Sequence, residues 1–355
     1  MEHIGIDLGA MHCHVVVVSS GGQEQQRDEV ATGRLPAWLA GRPPSHVVME
    51  TCTQSSAMAR AAMVAGHDTR VVPGRLVRLL GVGARGIKTD YRDAEALARA
   101  SLHNPDLPSV HLRSDRSFHR RELLTARWQL LKARKSIAVS IKSWLRARLV
   151  RLTGRASSKA FSEAVRKVAL EHPDGLPRPV EMLLETFEHL CEQVDKLDEQ
   201  IEALTDSDPV CQRLMTVPGV GPQVSLAFST HLDVHERFGS ADELASYLAL
   251  IPGEATTGGR VVRTGTIKAG PSHLKSLLVQ AAWSMWRSRP NDPVVLWARA
   301  VADKRGKHIA IIALARKIAT VMWSMWKHGR DYDPARASSV RAPKPPTDTR
   351  LHMQL

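Results

Sequence analysis

The stretch "HIGIDLGAMHCHVVVVSSGG", His3 to Gly22, decides how the chain begins to fold. "HIGIDLG" reads as a strand running into a glycine turn. "HCHVVVVSS" reads as a second strand, with Gly21-Gly22 as the hairpin turn after it. Working outward, "SHVVMETC" is another strand, preceded by Pro43 and Pro44. "SSAMARAAMVAG" is a helix capped by Ser55 or Ser56 and ended by Gly66. "DTRVVP" is a short strand, and "GIKTDYRDAEALARASLH" puts Asp90 and Asp93 at the front of an Ala/Leu-rich helix. Strand, hairpin, strand, helix, strand, helix is a mixed α/β pattern, and it fills roughly residues 1 to 105.

From about 115 to 205 the pattern is nearly all helical. Its first part, Arg113 to Arg155, is crowded with Arg and Lys, against which stand Asp115 and Glu122. "HPDGLPRP", His172 to Pro179, interrupts the helices. Beyond it, Met182, Leu183, Phe187, Leu190, Val194, Leu197, Ile201 and Leu204 recur at helical spacing between acidic positions. That is the pattern of an antiparallel or intermolecular coiled coil, or of one helix packed on its own domain. A third region, about 206 to 333, opens with "LMTVPGVGPQVSLAFS" and closes with two helices that each contain "WSMW". Tryptophans three apart on a helix are expected to pack in a core. The Pro/Ser/Arg-rich tail from Ala335 is expected to be disordered.

With 355 residues, two or three domains are expected. The net charge of +13 argues for an acidic partner, most simply nucleic acid. Cys13, Cys52, Cys191 and Cys211 form no C-x-x-C pair and suit no zinc site, so they read as reduced and mostly buried. The N-terminus shows no signal-peptide pattern, and no apolar run reaches the ~18 residues a membrane span needs. A cytoplasmic protein is expected.

Four carboxylates carry the chemistry. Asp7 sits in "IGIDLG" between Ile6 and Leu8, where a carboxylate is costly unless paired or bound to a metal. Glu50 ends the strand "HVVME", at the carboxyl end where open α/β sheets place their sites. Asp90 and Asp93 share a helix face. Viewed alone the pair reads first as helix caps, since Asp at a helix N-terminus accepts free N–H groups and suits the dipole. Converged, the four would hold a pair of hard cations such as Mg²⁺, roughly 4 Å apart, across a phosphodiester. "IGIDLG" also opens sugar kinases and actin-like ATPases, but the later half has only "TTGGR" where that reading needs an Asp-Gly-Gly turn.

In the third region, "TVPGVGPQVSLAF" looks like half of a helix-hairpin-helix, whose Gly219 and Gly221 would offer backbone N–H groups to phosphate. "LALIPGEATTGGRVVRTGTIKAGPSHLKSLL" reads as a flexible or tightly turned loop rich in glycine and threonine. Its Arg260, Arg263 and Lys268 would hold phosphates, and a threonine hydroxyl there could attack one.

Asp7 in "GIDLG", Glu50 in "VVMETC", and Asp90 and Asp93 in "KTDYRDA" resemble the DEDD tetrad of insertion-sequence transposases with a RuvC-like domain. "VPGVGP", "YLALIPGE", "TGTIKAG", "LLVQAAW", "DKRGKHIAIIALARKI" and "YDP" resemble that family's C-terminal transposase domain. The resemblance covers about residues 1 to 333. It implies a RuvC-like, RNase H-like DEDD catalytic domain at 1–112, basic helices and a coiled-coil linker at 113–205, and a small, mainly helical transposase domain at 206–333, with a tail at 334–355.

It also implies a recombinase that moves an element by cutting and rejoining DNA, with Mg²⁺ (or Mn²⁺) on the tetrad. Other implied features are an element-encoded guide RNA in some members, a homodimer or homotetramer, and work at the bacterial nucleoid. The family's nucleophile is a serine before a glycine, in a composite site with the tetrad across subunits. Here that position is Thr257, before Gly258; Thr256 and Ser272 are the other candidate hydroxyls. The β-branched methyl of Thr257 crowds the attack and restricts χ1. Within the basic stretch, Arg120, Arg121, Arg127, Lys132, Arg134, Lys135, Lys142 and Arg146 would neutralise phosphates of guide RNA or DNA. The alternatives are a Mg-dependent junction-resolving nuclease and a non-catalytic nucleic-acid-binding descendant.

Overall fold

The computed structural model describes residues 1–74, 76, 90–104, 106–152, 159–171, 175–257, 260–267 and 270–339; the side chains at 159, 171, 254–257, 260–264, 266 and 339 lie outside that description. The chain divides into two compact units, Met1–Arg113 and Ser114–Leu355.

In the first unit, β1 (His3–Leu8), β2 (His12–Val18) and β3 (Glu24–Ala31) form an antiparallel meander. After it come α1 (Leu35–Ala40), β4 (His46–Glu50), α2 (Ser55–Val64), β5 (Asp68–Val72) and α3 (Asp90–His103). Strands β4 and β5 run parallel to β1, and the sheet order is β3-β2-β1-β4-β5. The turn after β2 uses Gly22 at φ +83°, a conformation glycine adopts without strain. Strand β3 completes the hairpin expected at Gly21-Gly22, whereas helix α1 escapes the sequence reading. "EQQRDEVA" buries only Val30, because β3 is an edge strand whose register comes from the hairpin rather than from an apolar pattern. Helix α2 also starts differently from expectation. Gln54 takes its N-cap position without a side-chain cap, while the Ser55 hydroxyl turns back onto the Cys52 carbonyl at 3.0 Å.

The period of two along each strand sorts residues between the faces of the sheet. Ile4, Ile6, Val15, Val17, Val47, Met49 and Val71 pack with Leu35, Leu39, Ala59 and Ala62 of α1 and α2. On the other face, Val16 and Val18 pack with Ala94 and Ala98 of α3, and Val48 and Val72 pack with Leu97 and Ala100. Gly5 lets α3 come close: a Cβ there would lie 1.9 Å from the Ala94 carbonyl oxygen and 2.5 Å from the Ala98 nitrogen.

The second unit begins with α4 (Asp115–Ala147), α5 (Lys159–Glu171) and α6 (Arg178–Asp206). Ser114 caps α4, its hydroxyl accepting from the Ser117 amide. Helices α4 and α6 lie antiparallel: Arg127 meets Asp198, Arg134 meets Cys191, and Ile141 and Leu145 share a core with Leu184 and Phe187. Along α6 the inward line steps by four and three through Val180, Leu184, Phe187, Cys191, Val194, Asp198, Ile201 and Thr205, a heptad seam. It passes through Leu184 and Cys191, not through Met182, which is 54% exposed.

Helices α7 (Pro209–Met215), α8 (Pro222–Leu232), α9 (Ala241–Tyr247), α10 (Ser272–Ser288), α11 (Pro293–Arg305), α12 (Lys307–His328) and α13 (Pro334–Ser339) complete this unit. Their core gathers Phe228, Leu278, Leu314 and Met322. Among the described residues helix α12 is long and apolar enough to cross a membrane, but Arg316 and Lys317 interrupt its apolar run and 67% of its apolar window is buried, as in a core helix. Both WSMW motifs meet this core: Trp323 is buried, whereas Trp283, Trp286 and Trp326 are half-buried.

Two expectations change here. The Gly/Thr-rich segment is an antiparallel ribbon of β6 (Pro252–Thr257) and β7 (Arg260–Thr266), not a loop, because β-branched Val and Thr favour strands. Thr257 pairs with Arg260, leaving Gly258 and Gly259 as a two-residue connection that lies outside the described residues. The start of the expected disordered tail is α13, with Ala337 buried and the Ala335 amide bonded to Asp333 Oδ1 at 2.9 Å. Residues 340–355 lie outside the described residues.

Candidate metal centre and nucleic-acid interface

Asp7 is on the face of β1 that α3 covers, two residues beyond Gly5. The antiparallel register sets His14 of β2 directly opposite it. Glu50 ends β4, the parallel neighbour of β1, on the same face as Val48. Asp90 and Asp93 occupy the first turn of α3, and Asp93 is 6% exposed.

The structure therefore brings Asp7 and Asp90 together with His14, while Asp93 and Glu50 lie near enough for their charges to act on Asp7. Ligand atoms of Asp7, His14 and Asp90 lie within 4.8 Å of one another, a spacing one cation can bridge. Nδ1 of His14 is 3.9 Å from Oδ2 of Asp90. Asp7 feels the whole cluster. Burial raises its carboxyl above the ordinary value, the charges of Asp90, Asp93 and Glu50 raise it further, and His14 opposes them. Mutually repelling carboxylates held by a rigid sheet and helix are relieved by a hard divalent cation, which takes oxygen ligands.

His14 and Gly74 are absent from the sequence reading. The signal for His14 was the alternation of "HCHVVVV": Cys13, Val15 and Val17 belong to one face, so His14 joins Val16 and Val18 on the other. Its ring stands edge-on to Tyr91 at 4.6 Å, and the Arg27 guanidinium lies over Tyr91 at 5.3 Å. Gly74 leaves room for Glu50: a Cβ there would lie 2.1 Å from Glu50 Oε1. No local pattern marks that need.

Comparison with known proteins decides the family. Residues 4–148 match a DEDD transposase family of the IS110 type, and residues 211–293 match the Transposase IS116/IS110/IS902 family. The chain belongs to the IS110-type transposases. It is 26% identical over 331 residues to the transposase for insertion sequence element IS1328 of Yersinia enterocolitica, covering 92% of this chain and 97% of that one. It is 27% identical to a probable family 20 transposase of Pseudomonas aeruginosa (94% and 99% covered) and 25% identical to the transposase for IS1111A of Coxiella burnetii (93% and 90%).

In this transposase the basic helix α4 divides its cations. Arg120 donates to Asp208 Oδ2 at 2.6 Å, and Arg116 joins the same oxygen at 2.8 Å. Burial alone would raise the Asp208 carboxyl; the Arg120 hydrogen bond, the Val210 amide and the two positive charges outweigh it and hold the group below its ordinary value. Arg127 is buried and grips Asp198, with Nε 2.5 Å from Oδ1 and a second nitrogen 3.1 Å from Oδ2. The guanidinium groups of Arg120 and Arg127 are committed inside the fold, whereas Arg116 reaches Asp208 from an exposed position. Arg121, Lys132, Lys135 and Arg146 are exposed; Arg134 and Lys142 are half-buried, Arg134 reaching Cys191 Sγ and Lys142 the Phe161 ring.

Gly219, at φ +88°, packs against α10, where a Cβ would lie 2.5 Å from the Ala281 carbonyl oxygen. Its glycine is explained by that approach and by the positive φ. Gly221 is the N-cap of α8, with open space around it. Thr257, Arg260 and Arg263 have strand backbone, their side chains lying outside the description, and Lys268 lies outside the described residues.

Proposed function

We propose that this chain excises and inserts a mobile DNA element by metal-dependent cleavage and rejoining of phosphodiester bonds. The first unit is read as an RNase H-like (RuvC-like) domain. Its support is a five-stranded sheet with an antiparallel first trio, a parallel remainder and carboxylates at the strand ends. The observation that carries the reading is the clustering of Asp7, His14 and Asp90 within 4.8 Å, under the field of Asp93 and Glu50.

Asp7, Glu50, Asp90 and Asp93 would hold Mg²⁺, with Mn²⁺ as a substitute that also tolerates the imidazole of His14. When bound, the metal supplies charge stabilisation to the phosphodiester and makes an attacking hydroxyl more acidic. Thr257, the last residue of β6, would be the attacking group. Its Oγ1 forms a bond to phosphorus, the bond to one deoxyribose oxygen breaks, and that oxygen keeps the electron pair and takes up a proton. Attack by that sugar hydroxyl on a joined strand reverses the step and restores Thr257. The exposed cations of α4, Lys132, Lys135 and Arg146 with Arg121, would hold backbone phosphates of DNA or of an element-encoded guide RNA. The protein would act as a homodimer or homotetramer at the bacterial nucleoid.

The test is junction sequencing in cells that carry the element with its flanking noncoding DNA. Excised circles and new insertions are expected with the native chain and with neither Asp7→Ala nor Thr257→Ala. Junctions that persist in Asp7→Ala would overturn the metal reading, and junctions in Thr257→Ala would move the nucleophile elsewhere. Nicked DNA without rejoined ends from the native chain would make the protein a nuclease.

A further inference from the structure

Between α6, α8 and α10 of the second unit lies a cavity of about 670 Å³, within the size range of small-ligand pockets. Its walls differ in chemistry. Helix α6 contributes Asp198 and Glu202, one helical turn apart on the same face. The charge of Asp198 is answered by Arg127, and its Oδ1 also accepts from Gln223 at 2.9 Å. Glu202 is exposed, and its carboxylate has no ion pair or hydrogen bond among the described residues. Across the cavity, α10 contributes the half-buried indole of Trp283 and the exposed guanidinium of Arg287. Lys307 stands over Trp283, 5.2 Å from the ring centroid.

This combination selects among ligands. A phosphate inside the cavity would face two carboxylates, so a bare anion is disfavoured. A purely apolar ligand would cover the Glu202 carboxylate without giving it a partner. A planar ring with hydrogen-bond donors on one edge satisfies both walls, because it stacks on an indole and donates to a carboxylate. Attached phosphates would stay at the cationic rim, with Arg287 and Lys307. Among nucleobases, guanine carries two adjacent donors, N1–H and the N2 amino group, which match the two oxygens of one carboxylate as an arginine fork does.

The geometry points to this cavity as the pocket for an unpaired guanine of the nucleic acid that the transposase handles, stacked on Trp283 and read by Glu202. This rests on the nucleic-acid reading proposed above and names what that partner presents to the second unit. Guanine is the shared chemistry, and DNA and RNA are its two sources.

The test uses the full chain and fluorescently labelled short oligonucleotides, read by anisotropy. One is oligothymidylate, one carries a single central guanine, one carries inosine there (which lacks the N2 amino group), and oligouridylate versions repeat the series in RNA. The guanine oligonucleotide is expected to bind about tenfold tighter than the plain one, with inosine between them. Whichever backbone shows the larger preference identifies the source. Glu202→Gln, a change at an exposed residue, is expected to bind the plain and guanine oligonucleotides alike; Trp283→Leu should weaken the guanine oligonucleotide most. Equal affinity of the native chain for the plain and guanine oligonucleotides, or a preference that survives Glu202→Gln, overturns the pocket while leaving the nucleic-acid reading intact. Binding of neither oligonucleotide overturns both.

Discussion

Replacing Gly5 by alanine is the sharpest test of how the carboxylate cluster is built. The added Cβ would sit 1.9 Å from the Ala94 carbonyl oxygen and 2.5 Å from the Ala98 nitrogen, where ordinary contact begins at 3.4 Å. Both obstacles are backbone atoms of α3, so no side chain can rotate away and the helix itself must retreat. Overpacking of this kind costs typically about 1–3 kcal/mol, and a rigid obstacle places Gly5→Ala at the top, about 3 kcal/mol. For a unit of this size that lowers the melting temperature by roughly 12 °C. The same retreat carries Asp90 away from Asp7 and His14, the three now having ligand atoms within 4.8 Å of one another, and moves Asp93 with it. Differential scanning calorimetry and a Mn²⁺ titration would measure both effects. Gly33→Ala is the control, since a Cβ there meets nothing within 4 Å. A Gly5→Ala protein that melts within about 1 °C of the native chain and binds Mn²⁺ equally well would refute the argument.

Three further outcomes are expected. Gly74→Ala pushes a Cβ against the movable Glu50 carboxylate, 2.1 Å from Oε1, so it should weaken Mn²⁺ binding with little change in melting temperature. Asp208→Asn keeps the acceptor for the Val210 amide but strips the partner of Arg120 and Arg116, and should cost about 3 kcal/mol in urea unfolding at neutral pH. The Asp208 pKa is lowered in the folded chain, so its contribution is complete above the unfolded value near 4 and is lost as pH falls through the folded value. The gap between native and variant should therefore hold at neutral pH and close only below about pH 4. Lys135→Ala and Arg146→Ala should each lower the salt dependence of DNA binding by about one unit of slope, whereas Arg127→Ala should show up as lost stability, because its guanidinium is buried on Asp198.

Much of the centre was legible in the chain because carboxylates in apolar surroundings stand out. Asp7 between Ile6 and Leu8, and Glu50 at the end of "HVVME", break a local rule that only a partner or a ligand explains. His14 was equally local but looked like a neutral member of a valine-rich strand; only the sheet register sets it against Asp7. Helix α4 shows the opposite limit. Its charge was plain from the sequence, but which cations face solvent and which hold Asp198 and Asp208 depends on α6 and α7, remote in sequence. In the segment from 252 to 266 the glycines point to a loop and the β-branched residues to strands, and the cross-strand pairing of β6 with β7 decides for strands.

By itself the sequence determined the α/β start, the long helices and the identity of the four carboxylates, since periodicity and the cost of burying charge act over a few residues. Only the tertiary structure decided that α3 lies close enough to β1 to bring Asp90 to Asp7. That approach depends on the missing side chain of Gly5, and steric room between elements remote in sequence leaves no local pattern.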